Sequence, residues 1–367
     1  MPNNSGRTTA KHPRGKNIYQ NLLIYIAIYG VVIKMALLSL PCAAMNASLP
    51  TSDPLIRLTK AVSDPLRLEV LRLLRQDSYG VLELCRITDT PQSGMSHHLR
   101  ILSDASLVER RKEGTSIFYR RTTKTDHPVL APLTQTLFQT IDQMPLSLES
   151  ETRKEAVHGE RSRRSAAFFE AHHEQFKDNQ ELITEFTQYR ECLSDLLQSR
   201  DEHPNAIALE IGAGSSPLVQ LLSQRYQTVT CVDNSEAMLG ATRAAITAWG
   251  LKNVDCRYAD FLTINPDAEV DLLAINMVLH HIASPSSFFE AARAWMAPEG
   301  RLLVIDLCPH DQDWVRDTCG DQWLGFEPND LLTWALDAGF HSDQTAYLGL
   351  KNGFHIQIHL FQPNIEL

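Results

Sequence analysis

The sequence has 367 residues, with 34 lysines and arginines against 44 aspartates and glutamates, which gives a net charge of −10. Its length predicts two domains, and its 43% hydrophobic and 21% charged residues exclude collagen-like, coiled-coil and wholly disordered chains. An acidic chain argues mildly against nucleic-acid binding, but the charge is uneven: residues 1–44 carry +5, 45–145 +2, 146–199 −4 and 200–367 −13. The two halves of the chain therefore predict different partners.

Residues 1–44 imitate a targeting segment. Four basic residues precede an apolar run from Leu22 to Ala44, a pattern typical of a secretory signal or a membrane anchor. Lys34 divides the run into pieces of 12 and 10 residues, each shorter than the ~20 that a spanning helix needs. We expect a mis-assigned start, with Met35 or Met45 as the alternative, and no membrane partner unless this leader is retained.

The seven cysteines are scattered and form no CxxC pair. They predict neither a disulfide framework nor a zinc ribbon. Reduced thiols in a cytoplasmic protein are the expected state.

Residues 45–145 have the element order of a winged helix-turn-helix. Ser63 as N-cap and Pro65 in the first turn predict one helix, a second fits 81–88, and a third begins after Pro91. In the third helix the apolar residues recur at i, i+4 and i+7 and predict the buried face. The polar residues of this helix predict contacts to bases and phosphates in a major groove: Gln92, Ser93, Ser96, His97 and Arg100.

A hairpin is predicted after the third helix, from two strand-like runs, 107–112 and 116–121, around Glu113-Gly114. Seven basic residues against three acidic ones lie between positions 97 and 124. A basic wing beside a reading helix predicts phosphate contacts by Arg110, Arg111 and Lys112. The alternative is a charged hairpin that only keeps a sheet edge soluble.

Three blocks in order, 63–68, 93–102 and 107–114, resemble the ArsR/SmtB family of winged-helix repressors. The resemblance implies a homodimer on a double-stranded, palindromic DNA operator. Many members of this family sense a metal through a cysteine pair in the second helix. Here only Cys85 is present, and one thiolate does not make a metal site, so no metal is expected. An amphipathic helix over 130–144 is predicted either to support the dimer or to pack within one chain.

Residues 146–199 keep apolar residues at helical spacing and predict a helical connector. Residues 200–367 then predict a nucleoside-binding α/β domain. A strand over 206–210 leads into a turn with Gly212 and Gly214, which lets a ligand approach the backbone and a helix N-terminus. A second strand ends at Asp233, and an acid there is placed to hold ribose hydroxyls. Further strands are predicted at 254–258, 271–276 and 300–306, before a closing pair over 347–350 and 355–361.

Pro217 stands where a dinucleotide fingerprint needs its third glycine. The sequence Glu210-x-Gly212-x-Gly214-x-Ser216, with Asn276 after the fourth strand, instead resembles class I S-adenosylmethionine-dependent methyltransferases. We therefore predict an α/β fold class, a winged helix-turn-helix followed by a Rossmann-like methyltransferase domain.

The resemblance implies S-adenosyl-L-methionine as cofactor. Its expected contacts are Glu210, Gly212 and Gly214 for the amino-acid portion, Asp233 for the ribose, Asp260 for the adenine, and Asn276 for the methyl-donor pocket. The alternatives are a strand-end cap for Asp233 and a helix cap for Asp260.

His280 and His281 are the candidate general bases, the alternative being that they only orient their loop. The charge of −13 disfavours a nucleic-acid substrate for this domain, so a small-molecule methyl acceptor is expected. Two functions stay open: a DNA-binding regulator fused to an active methyltransferase, or a regulator that only senses S-adenosylmethionine or S-adenosylhomocysteine. A third is an enzyme that uses its winged helix as a dimer scaffold.

Overall fold

The computed structural model describes residues 24–28, 31–35, 52–113, 116–122, 127–198, 204–214, 216–262 and 268–364. Within the leader, strands β1 (Ile24–Ile28) and β2 (Val31–Met35) pair antiparallel. Met45 and the rest of the leader lie outside the described residues. Across the described ranges, no helix is both long enough and apolar enough to cross a membrane.

The winged helix-turn-helix is built from five helices and a small sheet. Its elements are α1 (Ser52–Ala61), α2 (Pro65–Leu73), β3 (Tyr79–Gly80), α3 (Val81–Thr88), α4 (Gln92–Asp104), β4 (Val108–Glu113), β5 (Ser116–Arg121) and α5 (Ala131–Asp142). The sheet order is β3-β5-β4, all antiparallel. The cap of α2 corrects the prediction: Asp64, not Ser63, precedes the helix, and its carboxylate accepts from the Arg67 backbone N–H at 3.1 Å.

The α4 helix buries the face that its sequence spacing predicts. Met95, Leu99 and Leu102 are at most 1% exposed and pack in the same core as α2 and α3. Cys85, the single cysteine of α3, is half-buried. The hairpin and α5 enclose the same core, so the reading helix rests on a packed base.

The connector is dominated by one long helix, α6 (Leu148–Glu181), capped by the Ser147 hydroxyl at its N-terminus. A short 3₁₀ turn (Phe186–Gln188) and α7 (Arg190–Gln198) follow it. This confirms the helical spacing seen in the sequence. The α6 helix packs on α3 of the winged helix-turn-helix.

The C-terminal part is a seven-stranded sheet with helices on both faces. Its elements are β6 (Ile207–Ile211), α8 (Leu218–Ser223), β7 (Thr228–Asp233), α9 (Glu236–Trp249), β8 (Val254–Tyr258), β9 (Val270–Asn276), α10 (Pro285–Trp295), β10 (Met296–Leu307), α11 (Trp314–Thr318), α12 (Pro328–Asp337), β11 (Phe340–Gly349) and β12 (His355–Pro363). The α6 helix also packs on α9.

The strand order is β11-β12-β10-β9-β6-β7-β8, with β12 antiparallel to both neighbours and the other pairs parallel. The central strands are apolar on both sides because one hydrophobic cluster covers each face of the sheet. Ligands of open α/β sheets bind at the carboxyl ends of the parallel strands. The ends of β6, β7 and β9 bring the glycine turn, Asp233 and Asn276 to that edge.

Candidate functional site

A cavity of about 500 Å³ lies at this edge of the sheet. Its size falls within the roughly 300–1,000 Å³ that small-molecule sites occupy. Five of the predicted cofactor residues line it: Gly212, Gly214, Asp233, Asp260 and Asn276. The sixth, Glu210, does not line it. Glu210 lies behind the glycine turn, 1% exposed.

The glycine turn leaves room for a ligand because neither glycine has a side chain to fill it. Gly212 has φ +65°, and a Cβ there would lie 2.7 Å from the side chain of Val278. Gly214 has φ +47°, and its Cβ would lie 2.9 Å from the Met238 methyl group. Both positions therefore exclude larger residues, which fits a backbone that receives a cofactor at close range.

Two carboxylates mark the other end of the cavity. Asp233 accepts a hydrogen bond from the Ser235 backbone N–H at 2.9 Å, and Asp260 accepts one from the Leu262 backbone N–H at 3.0 Å. Each acid thus orders its own turn while facing the cavity, so the capping role and the ligand-facing position coexist. Burial raises the pKa of Asp233 to about 6. Burial also raises the pKa of Glu210 to about 8, opposed by the nearby Ser216 hydroxyl.

Asn276 is fixed by residues from outside the strand that carries it. Its amide oxygen accepts from the Tyr189 hydroxyl at 3.0 Å, and its amide nitrogen donates to the Ser216 hydroxyl at 3.3 Å. Burial raises the pKa of Tyr189 above its usual range, so the phenol stays a donor. Phe169 and His173 of α6 line the same cavity. The connector therefore forms a wall of the site.

The two candidate bases have different surroundings. The His280 side chain is 2% exposed, its Nδ1 lies 2.8 Å from Asp306, and its Nε2 lies 3.9 Å from Asp321. Burial opposes protonation of His280, but Asp306 and Asp321 outweigh it and raise its pKa to about 9. His280 does not line the cavity, whereas His281 does. Burial and the charge of His280 lower the pKa of His281 well below its usual range. The geometry thus argues against His280 as the base, because its ring is enclosed away from the cavity in which an acceptor would lie.

The predicted reading face of α4 is open to solvent. All five of its predicted DNA-contacting side chains are exposed: Gln92, Ser93, Ser96, His97 and Arg100. Arg100 lies 3.3 Å from Nδ1 of His97. A row of hydrogen-bonding groups on an exposed helix is the arrangement that a major groove accepts.

Two family models match the chain. The one described as "Bacterial regulatory protein, arsR family" matches residues 64–110, and the one described as "Methyltransferase domain" matches residues 209–304. An uncharacterized HTH-type transcriptional regulator from Methanocaldococcus jannaschii is 48% identical over 63 residues, which cover 16% of this chain and 68% of that protein. The chain belongs to the ArsR family of regulators. It fuses that winged helix-turn-helix to a class I methyltransferase domain.

The methyltransferase domain has its own relatives. An uncharacterized methyltransferase from Staphylococcus carnosus is 26% identical over 143 residues, which cover 38% of this chain and 64% of that protein. The chain thus spans just under two thirds of that relative. The solved structure of a magnesium protoporphyrin IX methyltransferase from Synechocystis PCC 6803 aligns with 56% of this chain and 100% of that one, at 16% identity and a TM-score of 0.45.

One buried arginine joins the two halves of this ArsR-family chain. Arg161 of α6 donates to both carboxylate oxygens of Glu83 on α3, at 2.8 and 2.6 Å. It also donates to the carbonyl oxygens of Ser78 and Ala283, each at 3.0 Å. Ser78 lies just before β3 and α3 of the winged helix-turn-helix, and Ala283 lies two residues after His281 in the methyltransferase domain. One guanidinium therefore touches the winged helix, the connector and the methyltransferase domain.

The wing lies against the methyltransferase domain, which corrects part of the predicted DNA surface. Arg111 pairs with Glu113 and donates to the carbonyl oxygen of Gly325, so its guanidinium does not face solvent. Glu113, 1% exposed, accepts from the Leu324 backbone N–H at 2.7 Å. Arg110 and Lys112 are exposed, although Lys112 lies 3.6 Å from Asp313. Arg111 therefore cannot contact phosphate while this interface is closed.

Sequence reasoning missed the residues that join distant elements. Arg161, Tyr189 and Trp323 are separated by 78 to 205 residues from the partners that give them a role. The spacing of apolar residues does not reveal such long-range contacts, because in the connector it predicts only an amphipathic helix. Arg161 lies among other charged residues of the connector, and its 6% exposure is visible only in the structure.

Proposed function

We propose that this chain is a homodimeric transcriptional regulator whose affinity for its DNA operator is set by an S-adenosyl ligand in the C-terminal cavity. The observation that carries the proposal is the position of α6. This helix lines the cavity with Phe169 and His173, and through Arg161 it holds Glu83 of the winged helix. A ligand that moves α6 therefore acts on the reading domain through a direct contact.

The ligand would be held by the residues that line the cavity. The glycine turn receives the amino-acid portion, Asp233 the ribose and Asp260 the adenine end. S-adenosylmethionine supplies an activated sulfonium methyl group when bound, and S-adenosylhomocysteine lacks it. Asn276 faces the methyl-donor pocket, where Tyr189 and Ser216 fix its amide.

The dimer and the operator complete the proposal. Leu55 and Ile56 on α1 are 41% and 57% exposed, and Met144 after α5 is 44% exposed. Apolar side chains exposed at α1 and near the end of α5 suit the two-fold interface of this family, which would place two α4 helices on successive half-sites. Arg100 of α4 and Arg110 and Lys112 of the wing are exposed cations that can reach the operator phosphates.

The test measures operator affinity with and without adenosyl ligand. DNA fragments are first selected in vitro for binding by the full chain, and fluorescence anisotropy is then recorded at saturating S-adenosylmethionine or S-adenosylhomocysteine. A coupling of about 5- to 150-fold is expected, the usual range between two sites. Asp233→Ala should remove the response and leave the ligand-free operator affinity unchanged. An operator affinity that ignores a ligand shown by calorimetry to bind would reject the proposal.

Methyl transfer to a small molecule is the second candidate function. One observation favours it: His281 lines the cavity, where its imidazole faces the space that an acceptor group would occupy. The assay follows S-adenosylhomocysteine release with panels of thiols, amines and phenols. Turnover that falls in His281→Ala, with ligand affinity retained, would establish catalysis alongside regulation.

A further inference from the structure

A second cluster of ligating side chains lies beside the cofactor cavity. It contains His280 and His281 in the 3₁₀ turn that follows β9 (Leu279–His281), and Asp321 in the loop after α11. One ligating atom from each residue lies within 4.8 Å of the others, and all three residues are buried. Imidazole and carboxylate together form a donor set that zinc and related divalent cations take in proteins.

Asp321 is the observation that points to a ligand. The residue is 2% exposed, and within the described ranges neither carboxylate oxygen has a hydrogen-bond partner. The Nε2 atom of His280 approaches it only to 3.9 Å. A buried carboxylate without donors is costly, since it has lost its water and gained no hydrogen bond. A cation bound at its oxygens would remove that cost.

The surroundings of the two histidines orient them as metal ligands. Nδ1 of His280 lies 2.8 Å from Asp306, and Nδ1 of His281 lies 3.3 Å from the carbonyl oxygen of Gly320. A metal-ligating histidine commonly donates its other ring N–H to a carboxylate or a backbone carbonyl, which fixes the tautomer. Both Nδ1 atoms have such a partner, so ligation through Nε2 would keep these contacts, and at His280 the metal would take the place of the Nε2 proton that faces Asp321.

We propose that His280, His281 and Asp321 bind one divalent transition-metal cation of the zinc class. Zinc bonds of about 2.0–2.2 Å place neighbouring ligand atoms roughly 3.3 Å apart, so loading must draw this cluster together by up to about 1.5 Å. Three protein ligands leave a fourth position for water or for a group from the cavity, which His281 also lines.

The metal would also tie down the segment on which the wing rests. Asp321 is followed by Trp323, whose ring lies 5.4 Å from that of Phe118, and by Leu324, which donates to Glu113. The cluster is separate from the single cysteine of α3. It needs neither DNA nor an adenosyl ligand, so it is tested apart from the regulatory proposal, whereas a metal bound by His281 would exclude that residue as the base of the second candidate function.

The experiment loads the chelator-treated full chain with Zn²⁺ by equilibrium dialysis and counts bound metal by mass spectrometry. One equivalent is expected at micromolar free zinc. Asp321→Asn and His281→Gln should each weaken binding at least 100-fold. Asp306→Asn should weaken it about 10- to 100-fold, the usual effect of losing an outer carboxylate. The control is the double substitution His341→Gln, Asp343→Asn, which removes one histidine and one aspartate from the exposed edge strand β11 and should bind as wild type.

Two further readouts keep the outcome clear if Asp321→Asn fails to fold. Zinc should raise the melting temperature of the wild type in a concentration-dependent way, as ligands of the native state do. Co²⁺ should give the visible absorption of a low-symmetry nitrogen and oxygen site. The proposal is overturned if wild type retains no stoichiometric zinc, or if Asp321→Asn and His281→Gln bind it as tightly as wild type. In either case the cluster is a charge network only.

Discussion

Replacing Arg161 by methionine tests the link between the two halves of the chain. The guanidinium makes two charged hydrogen bonds to Glu83 and two more to the carbonyl oxygens of Ser78 and Ala283, and its side chain is 7% exposed. Removing one partner of a buried ion pair costs about 3–5 kcal/mol, since the other charge stays buried and unpaired. Glu83 keeps its bond from the Gly80 backbone N–H and is 22% exposed at its side chain. We therefore expect a loss near the lower end, about 3 kcal/mol.

The assay is urea unfolding, followed by circular dichroism and by the fluorescence of Trp323, whose ring centre lies 5.0 Å from the Arg161 guanidinium. The matched control is Arg164→Met on the same helix. Arg164 is 78% exposed at its side chain and pairs with Glu160, so its loss should cost under about 1 kcal/mol. Arg161→Met should also reduce the effect of adenosyl ligand on operator affinity to less than twofold. A stability loss below that of the control, or an unchanged ligand effect, would refute the role given to this arginine.

Three further changes probe the cavity. The first two are measured by calorimetry with S-adenosylhomocysteine, and the third by urea unfolding. Gly212→Ala places a Cβ 2.7 Å from Val278 at φ +65°. Ligand affinity should therefore fall at least tenfold, and the free energy of unfolding by about 1–3 kcal/mol. A variant with wild-type affinity would contradict the role of the glycine turn in ligand binding. Because burial holds the pKa of Asp233 at about 6 and ribose hydroxyls donate to the carboxylate, affinity should fall as pH drops through 6. Asp233→Asn should remove that dependence, and a flat wild-type profile would contradict the assignment. Tyr189→Phe removes a buried 3.0 Å hydrogen bond to Asn276 and should lower the free energy of unfolding by about 1 kcal/mol. An unchanged stability would mean that Tyr189 does not fix the Asn276 amide.

Short-range features of the fold were predictable from the sequence. The start of α4 at Gln92 and the bounds of α3 follow from turn residues and helical periodicity, and the structure agrees at both. The parallel strands were predictable because they are short apolar runs bounded by turns. The cap of α2 moved by one residue to Asp64 because both Ser63 and Asp64 are good caps, and only the backbone geometry separates them.

The long-range half of the site was not predictable. One part of the site was predictable: the glycine turn, Asp233 and Asp260 follow consecutive strands, so strand order alone places them at the same edge of the sheet. The wall of the cavity depends on α6, where Phe169 and His173 read as ordinary positions of an amphipathic helix. The pairing of His280 with Asp306 and Asp321 likewise needs three separate segments to meet.

Charge along the chain overstated the positive charge that the wing offers to DNA. Arg111 is matched by Glu113 and Arg120 by Glu109 within the hairpin itself, and Asp330 of the methyltransferase domain adds a second acid beside Arg120. On α4 and the described part of the wing, the exposed cations are Arg100, Arg110 and Lys112, which for a dimer gives about six phosphate contacts and a slope of log affinity against log salt near −5. Opening the interface would expose the two wing arginines of each protomer, Arg111 and Arg120, raising the count to at most about ten and the slope to about −9. Measuring operator affinity from about 50 to 250 mM salt separates the two states, because the added contacts nearly double the slope. A slope near −9 would mean that DNA binds the chain only after the wing has left the methyltransferase domain.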